Sequence, residues 1–173
     1  MSNSACVSCQ SPKAQLHCGL CESTVCKYCA HIFDDSTFSF LAQKPQHLQH
    51  TTYCNVCFNQ YVAEDLEKYN ATMERAKAVH IFDATQGKET RLMKRRNEDK
   101  LIVENCEDPD EAVMRLAFFA VQRDFNAVVD VDITATKVKN GSYSKRVWRA
   151  VGIPSHFGKD KIVRDRSLRH WPN

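Results

Sequence analysis

The chain has 173 residues, 43% hydrophobic and 26% charged, with a formal charge of +3, which suits one medium domain or two small ones. Five glycines and five prolines exclude collagen-like and Pro-rich classes, and no apolar stretch approaches the ~20 residues that a membrane helix requires. Met1 to Ser8 lacks the basic start and apolar stretch of a secretory signal, so the expectation is a reducing, cytoplasmic setting, in which cysteines serve as thiols.

Eight of the nine cysteines lie between Cys6 and Cys57. They form four Cys-x2-Cys pairs, Cys6/Cys9, Cys18/Cys21, Cys26/Cys29 and Cys54/Cys57, separated by eight, four and twenty-four residues. Two intervening residues let a tight turn aim both sulfurs at one ion, and tetrahedral zinc takes four thiolates, so four pairs predict two closed structural sites. Disulfides would need an oxidising compartment and would leave one cysteine odd. Iron–sulfur ligation is the remaining alternative. Spacing alone leaves sequential and interleaved pairings of these four turns both open. His17, His31, His47 and His50 lie among the cysteines, but eight thiolates complete two sites, and these histidines are expected to pack or to support the loops. Phe33, Phe38, Phe40 and Leu41 are expected to furnish the small core of this part.

The stretches from His17 to Cys29 and from Tyr53 to Val62 resemble the middle and end of a FYVE-type zinc finger, including the four-residue gap and the aromatic after the last pair. The likeness covers residues 6 to about 62; a RING finger is less similar. It implies a cross-brace, with Cys6, Cys9, Cys26 and Cys29 on one zinc and Cys18, Cys21, Cys54 and Cys57 on the other. FYVE fingers hold phosphatidylinositol 3-phosphate on an Arg/Lys-His-His-Cys-Arg stretch. Here the corresponding residues are Lys13-Ala14-Gln15-Leu16-His17-Cys18-Gly19, so the resemblance implies the scaffold, and binding of a lipid headgroup is not the expected role.

Phe58, Val62, Leu66, Tyr69, Met73, Ala76 and Val79 then recur at helical spacing, predicting a helix that links the finger to a second part. Ala78 to Asp83 and Thr90 to Lys94, flanking Ala84-Thr85-Gln86-Gly87, read as a hairpin, and Lys100 to Glu104 as a further strand. Asp108-Pro109-Asp110-Glu111 is a capping box with proline at the first helical position, and it opens a helix expected to run to about Phe125 and to stop at a left-handed Asn126. Its expected buried stripe is Ala112, Val113, Leu116, Ala117, Ala120 and Val121. Ala127 to Ala135 alternates, with Val129, Val131, Ile133 and Ala135 facing one way and Asp130, Asp132 and Thr134 the other. Asn140-Gly141 signals a hairpin, returning through Tyr143 to Val151 and ending at Gly152-Ile153-Pro154. The fold class is therefore α+β, with helices against one face of a mainly antiparallel sheet.

Glu111 to Asp132, Gly141 to Tyr143 and Trp148 to Ile153 resemble the small bacterial YbjQ-type family, which carries a heavy-metal-binding label; this implies a small α+β fold that often self-associates. Domains are thus expected at 1–60 (finger), 61–77 (linking helix), 78–155 (α+β module) and 156–173 (basic tail). Residues 1–57 and 58–155 each balance in charge, so the formal +3 resides in the tail, which is expected to be solvated or docked; nucleic acid is not an expected partner. No internal repeat stands out. Cys106 has no placed base, and neither a phosphate-cradling loop nor a His-Glu helix pair is present, so catalysis is not expected. The expected role is recognition or scaffolding of a protein partner, with two structural zinc ions; the alternatives are phosphoinositide or membrane-surface binding through the finger and metal sensing or handling through the α+β module.

Overall fold

The computed structural model describes residues 5–12, 14–86, 90, 93, 99–141 and 143–158, the Asn140 side chain excepted. It is an α+β protein. Two compact units divide between Ala71 and Thr72. Among the described residues, no helix is long and apolar enough to cross a membrane.

In the first unit, β1 (Leu16–His17) and β2 (Thr24–Val25) form one short antiparallel ladder, and β3 (Ala30–Ile32) and β4 (Thr52–Cys54) another. β4 runs directly into a helical stretch: α1 (Asn55–Cys57), a π-helical turn (Phe58–Val62) and α2 (Ala63–Lys77). The apolar stripe foreseen from Phe58 is borne out as far as Ala76, while Val79 lies beyond the helix. Phe38, Leu48, Tyr53 and Val62 are buried together, with Phe33, Leu41, Phe58, Leu66 and Tyr69 packed around them. Phe38 adopts φ of 65°, unusual for a bulky residue. It is held there by packing, with the Tyr69 ring edge-on at 5.2 Å and Phe33 at 6.3 Å.

The second unit is a four-stranded sheet of order β5-β7-β8-β6, made of β5 (His80–Asp83), β6 (Leu101–Cys106), β7 (Ala127–Asn140) and β8 (Tyr143–Ser155). β5 pairs parallel to β7; the other two pairings are antiparallel. Among the described residues, β5 has no hairpin partner. A 3₁₀ turn follows (Ala84–Gln86), and β5 finds its partner in distant β7. Thr90 and Met93 are turn residues, and the remainder of the supposed return strand lies outside the described residues.

α3 (Pro109–Gln122) covers one sheet face. Asp108 caps it by accepting the Glu111 N–H at 2.7 Å, while Glu111 accepts from the Glu107 N–H, one residue earlier than the usual reciprocal bond. The helix stops three residues before Phe125, and the left-handed residue is Asp124 (φ 60°), not Asn126. Phe125 N–H closes the end on the Ala120 carbonyl. Asn126 instead clamps the chain after β8, exchanging two hydrogen bonds with the Phe157 backbone. Val113 is only half-buried, whereas Phe118 is buried.

The strand phase needs one correction. Asp130 has φ of 52° and sits in a bulge between Val129 and Asp132. The extra residue moves everything after it to the opposite face. Val128 and Val131 therefore join Leu116, Ala120 and Ala150 beneath α3, while Ala127 and Val129 face the other way, against Phe82 and Met93. β8 also continues through Gly152-Ile153-Pro154 to Ser155. Proline is tolerated there because β6 pairs only as far as Gly152, so among the described residues no strand requires its N–H on that side.

Candidate metal centres

Each cysteine pair is presented by a backbone turn, and the four turns are of two kinds. In the first pair, the Cys6 carbonyl accepts from Gln10 N–H at 2.8 Å, the Cys6 N–H donates to Ser11 O at 2.9 Å, and Gln10 is left-handed at φ 61°. In the second pair, Cys18 accepts from Glu22 at 2.9 Å, donates to Ser23 at 3.0 Å, and Glu22 lies at φ 59°. These are one turn used twice, written as Cys6-Val7-Ser8-Cys9-Gln10-Ser11 and Cys18-Gly19-Leu20-Cys21-Glu22-Ser23. A short repeat is thus present after all, and the cysteine spacing masked it.

The two repeats dock in the same way. Val7, the residue after Cys6, donates its N–H to Thr24 O at 2.9 Å, two residues before Cys26; Gly19, the residue after Cys18, donates to Thr52 O at 2.9 Å, two residues before Cys54. Each knuckle is thereby laid against a strand that ends in another cysteine pair. Cys26 and Cys29 lie on a turn closed by Cys29 and Ala30 N–H groups on the Cys26 carbonyl, both at 3.0 Å. Cys54 caps α1 and Cys57 sits in its first turn.

The result is two separate sets of four thiols, Cys6, Cys9, Cys26 and Cys29 in one and Cys18, Cys21, Cys54 and Cys57 in the other, with sulfurs within 4.8 Å of one another in each. The chain crosses between sets, because the second pair in sequence lies in the second set and the third in the first. The sulfurs of Cys9 and Cys26 lie 3.6 Å apart, and those of Cys21 and Cys54 3.8 Å. A single tetrahedral ion with ~2.3 Å bonds holds its sulfurs ~3.8 Å apart. The donor set and spacing therefore fit one ion per set. A multi-iron cluster, with each thiolate on a different metal atom, needs a wider cradle. No histidine belongs to either set.

Electrostatics support thiolate formation at particular positions. The Cys26 N–H, 3.3 Å from Cys6 Sγ, draws that thiol down to about 6 from its ordinary 9.0. The Ser23 hydroxyl does the same at Cys21, also to about 6. Crowding by the neighbouring sulfur of Cys9 pushes Cys29 up to about 12, and burial raises Cys54 and Cys57. Four thiolates cannot share so small a volume without a cation to neutralise them.

Surrounding residues fix the turns. Gly19 lies so close to His50 that an added Cβ would come within 2.3 Å of the imidazole Cγ. His31 stacks on Phe58 at 3.8 Å and meets the Asn55 side chain at 3.2 Å, and His47 pairs with Asp65 at 2.7 Å. All three therefore act as packing or positioning groups. Lys27 lies over the Tyr28 ring at 4.9 Å, and Lys13 is outside the described residues.

No protein-family model, curated protein or solved structure matches the chain. The two family resemblances rest on the quoted residues alone.

In the second unit the candidate metal groups are scattered. Cys106 is fully buried, with its thiol pushed up by that burial. His80 packs on Phe157 at 4.2 Å, and Asp132 is exposed. Among the described residues, the only metal-competent clusters are the two four-thiol sets.

Proposed function

We propose that the chain is a zinc-binding, non-catalytic recognition or scaffold protein, its first unit folded around two structural zinc ions in a cross-braced, FYVE-like finger. The observation that carries this is the pair of four-thiol sets at single-ion spacing. Four protein ligands fill a tetrahedral ion, leaving no position for a reactive water. The ions serve folding, since a unit this small has little apolar core of its own. The finger displays Tyr28, Ile32, Val56 and Tyr61 to solvent, and these are the side chains a protein partner would cover. The reading also places the protein in the cytoplasm, where free thiols persist.

Charge argues against phosphoinositide binding. Residues 1–57 balance before metal is counted, and eight thiolates against two divalent ions leave the loaded finger about four charges negative. A phosphate headgroup needs Arg or Lys donors, and the local field repels an anionic surface. Flotation of the full chain on vesicles with and without phosphatidylinositol 3-phosphate tests this. Equal recovery on both is expected; specific, salt-resistant recovery with the lipid would overturn the reading.

A further inference from the structure

Beyond the zinc finger, the second unit carries a basic surface whose charges find no acidic partner among the described residues. β6 stops pairing at Trp148, and the cluster beneath α3 ends at Ile133 and Trp148. Past that point β7 and β8 continue alone as a two-stranded ribbon, paired from Thr136↔Val147 to Asn140↔Tyr143, with Gly141 left-handed (φ 62°) in the connecting turn. Residues 133–149 include Lys137, Lys139, Lys145, Arg146 and Arg149 and no acid.

The two faces of the ribbon treat these cations differently. On the face away from α3, Lys145 meets Glu107 at 2.9 Å and Arg149 meets Glu104 at 3.0 Å. On the α3 side, Lys137 and Arg146 stand directly opposite each other in register, with Lys139 two residues further along. Among the described residues no acid pairs with any of these three. Like charges directly opposite on a sheet are destabilising, so this arrangement costs stability in the free protein. Small side chains at Ala135 and Ser144 beside them leave an open groove of about 540 Å³ lined by Ala135, Lys137, Ser144 and Arg146.

We propose that this face of the ribbon docks on duplex DNA through its phosphates. The five paired positions on each strand span roughly 13 Å, and a two-stranded ribbon fits the B-form major groove, ~12 Å wide, where the flanking phosphates meet Lys137, Lys139 and Arg146. The deep, narrow A-form groove does not admit it, which sets duplex RNA apart. The overall charge balance of residues 58–155 hides this stretch, because the balancing acids lie outside residues 133–149 in the sequence.

The test is fluorescence anisotropy of a labelled 20-bp duplex with the full zinc-loaded chain, across a salt series. The wild type is compared with Lys137→Gln/Arg146→Gln and with Lys145→Gln/Arg149→Gln, which remove equal charge from opposite faces and leave the basic tail intact. The first pair should bind at least about tenfold more weakly and show a log–log salt slope shallower by about two, while its Tm does not fall because a like-charge pair is gone. The second pair should bind within about twofold of the wild type. Absence of duplex binding by the wild type, equal loss in both double variants, or full binding by Lys137→Gln/Arg146→Gln would overturn the proposal. So would a preference for anionic vesicles over the duplex in parallel flotation. Lys137→Gln alone, with a slope reduced by about one, serves as the milder second variant.

Discussion

Replacing Gly152 by alanine tests the packing of the second unit at its tightest point. A Cβ there would lie 2.4 Å from Val128 Cγ1, 3.2 Å from Val131 Cγ2 and 3.6 Å from Leu116 Cδ1. Carbon atoms rest at ~3.5–4.0 Å, so the Val128 methyl must retreat by more than an ångström. It has nowhere to go, because Val128 is fully buried and its β-branched χ1 is stiff. Overpacking of this kind costs ~1–3 kcal/mol. A displacement this large takes the upper end of that range, and an added methyl and a less flexible unfolded chain return ~0.8 and ~0.4–1 kcal/mol, so the net destabilisation expected is about 1–2 kcal/mol, with a Tm lower by at least roughly 4 °C. Both tryptophans, Trp148 and Trp171, follow Thr72 in sequence, so intrinsic tryptophan fluorescence during urea unfolding reports on this unit. Val128→Ala removes the clashing methyl, so the double variant should be less destabilised than the two single changes summed. A Gly152→Ala protein as stable as the wild type, or strict additivity with Val128→Ala, would refute the close approach of β8 to β7 and α3.

Asp108→Ala removes the side-chain acceptor for the Glu111 N–H and should cost ~0.5–2 kcal/mol in the same urea assay, with Asp108→Asn recovering most of it. Cys106 makes the second unit sensitive to alkali. Its thiol is raised above 9.0 by burial, so its contribution is fully present below about pH 9 and is lost as the pH rises through the folded value. Wild-type stability should therefore fall more between pH 8 and 10.5 than that of Cys106→Ala, and equal slopes would show that the thiol is not buried in the folded state.

What could be read from the sequence was what local chemistry encodes. Asp108-Pro109-Asp110-Glu111 announces the start of α3 because capping involves only adjacent residues, and Ala112, Leu116 and Ala120 follow at helical spacing into the core. Eight cysteines in four pairs likewise announce two four-thiol sets, whereas the pairing between sets depends on Val7→Thr24 and Gly19→Thr52 hydrogen bonds that no spacing rule contains. The repeated Gln10-Ser11 and Glu22-Ser23 endings were the available signal. The bulge at Asp130 has no mark in an alternating run of valines and aspartates, and one extra residue is enough to send Val129 to the opposite face. The pairing of β5 with β7 is not legible, because β7 lies more than forty residues away and a parallel pairing leaves no turn residues to announce it.

Zinc counted by native mass spectrometry tests the two crossed metal sites most directly. The wild type should carry two zinc ions per chain. Cys6→Ser/Cys26→Ser, which strips two ligands from one set, should retain one; Cys6→Ser/Cys18→Ser, which strips one ligand from each, should hold neither tightly. A wild type with one zinc or none, or the reverse pattern with one ion kept by Cys6→Ser/Cys18→Ser and none by Cys6→Ser/Cys26→Ser, would contradict the crossed arrangement.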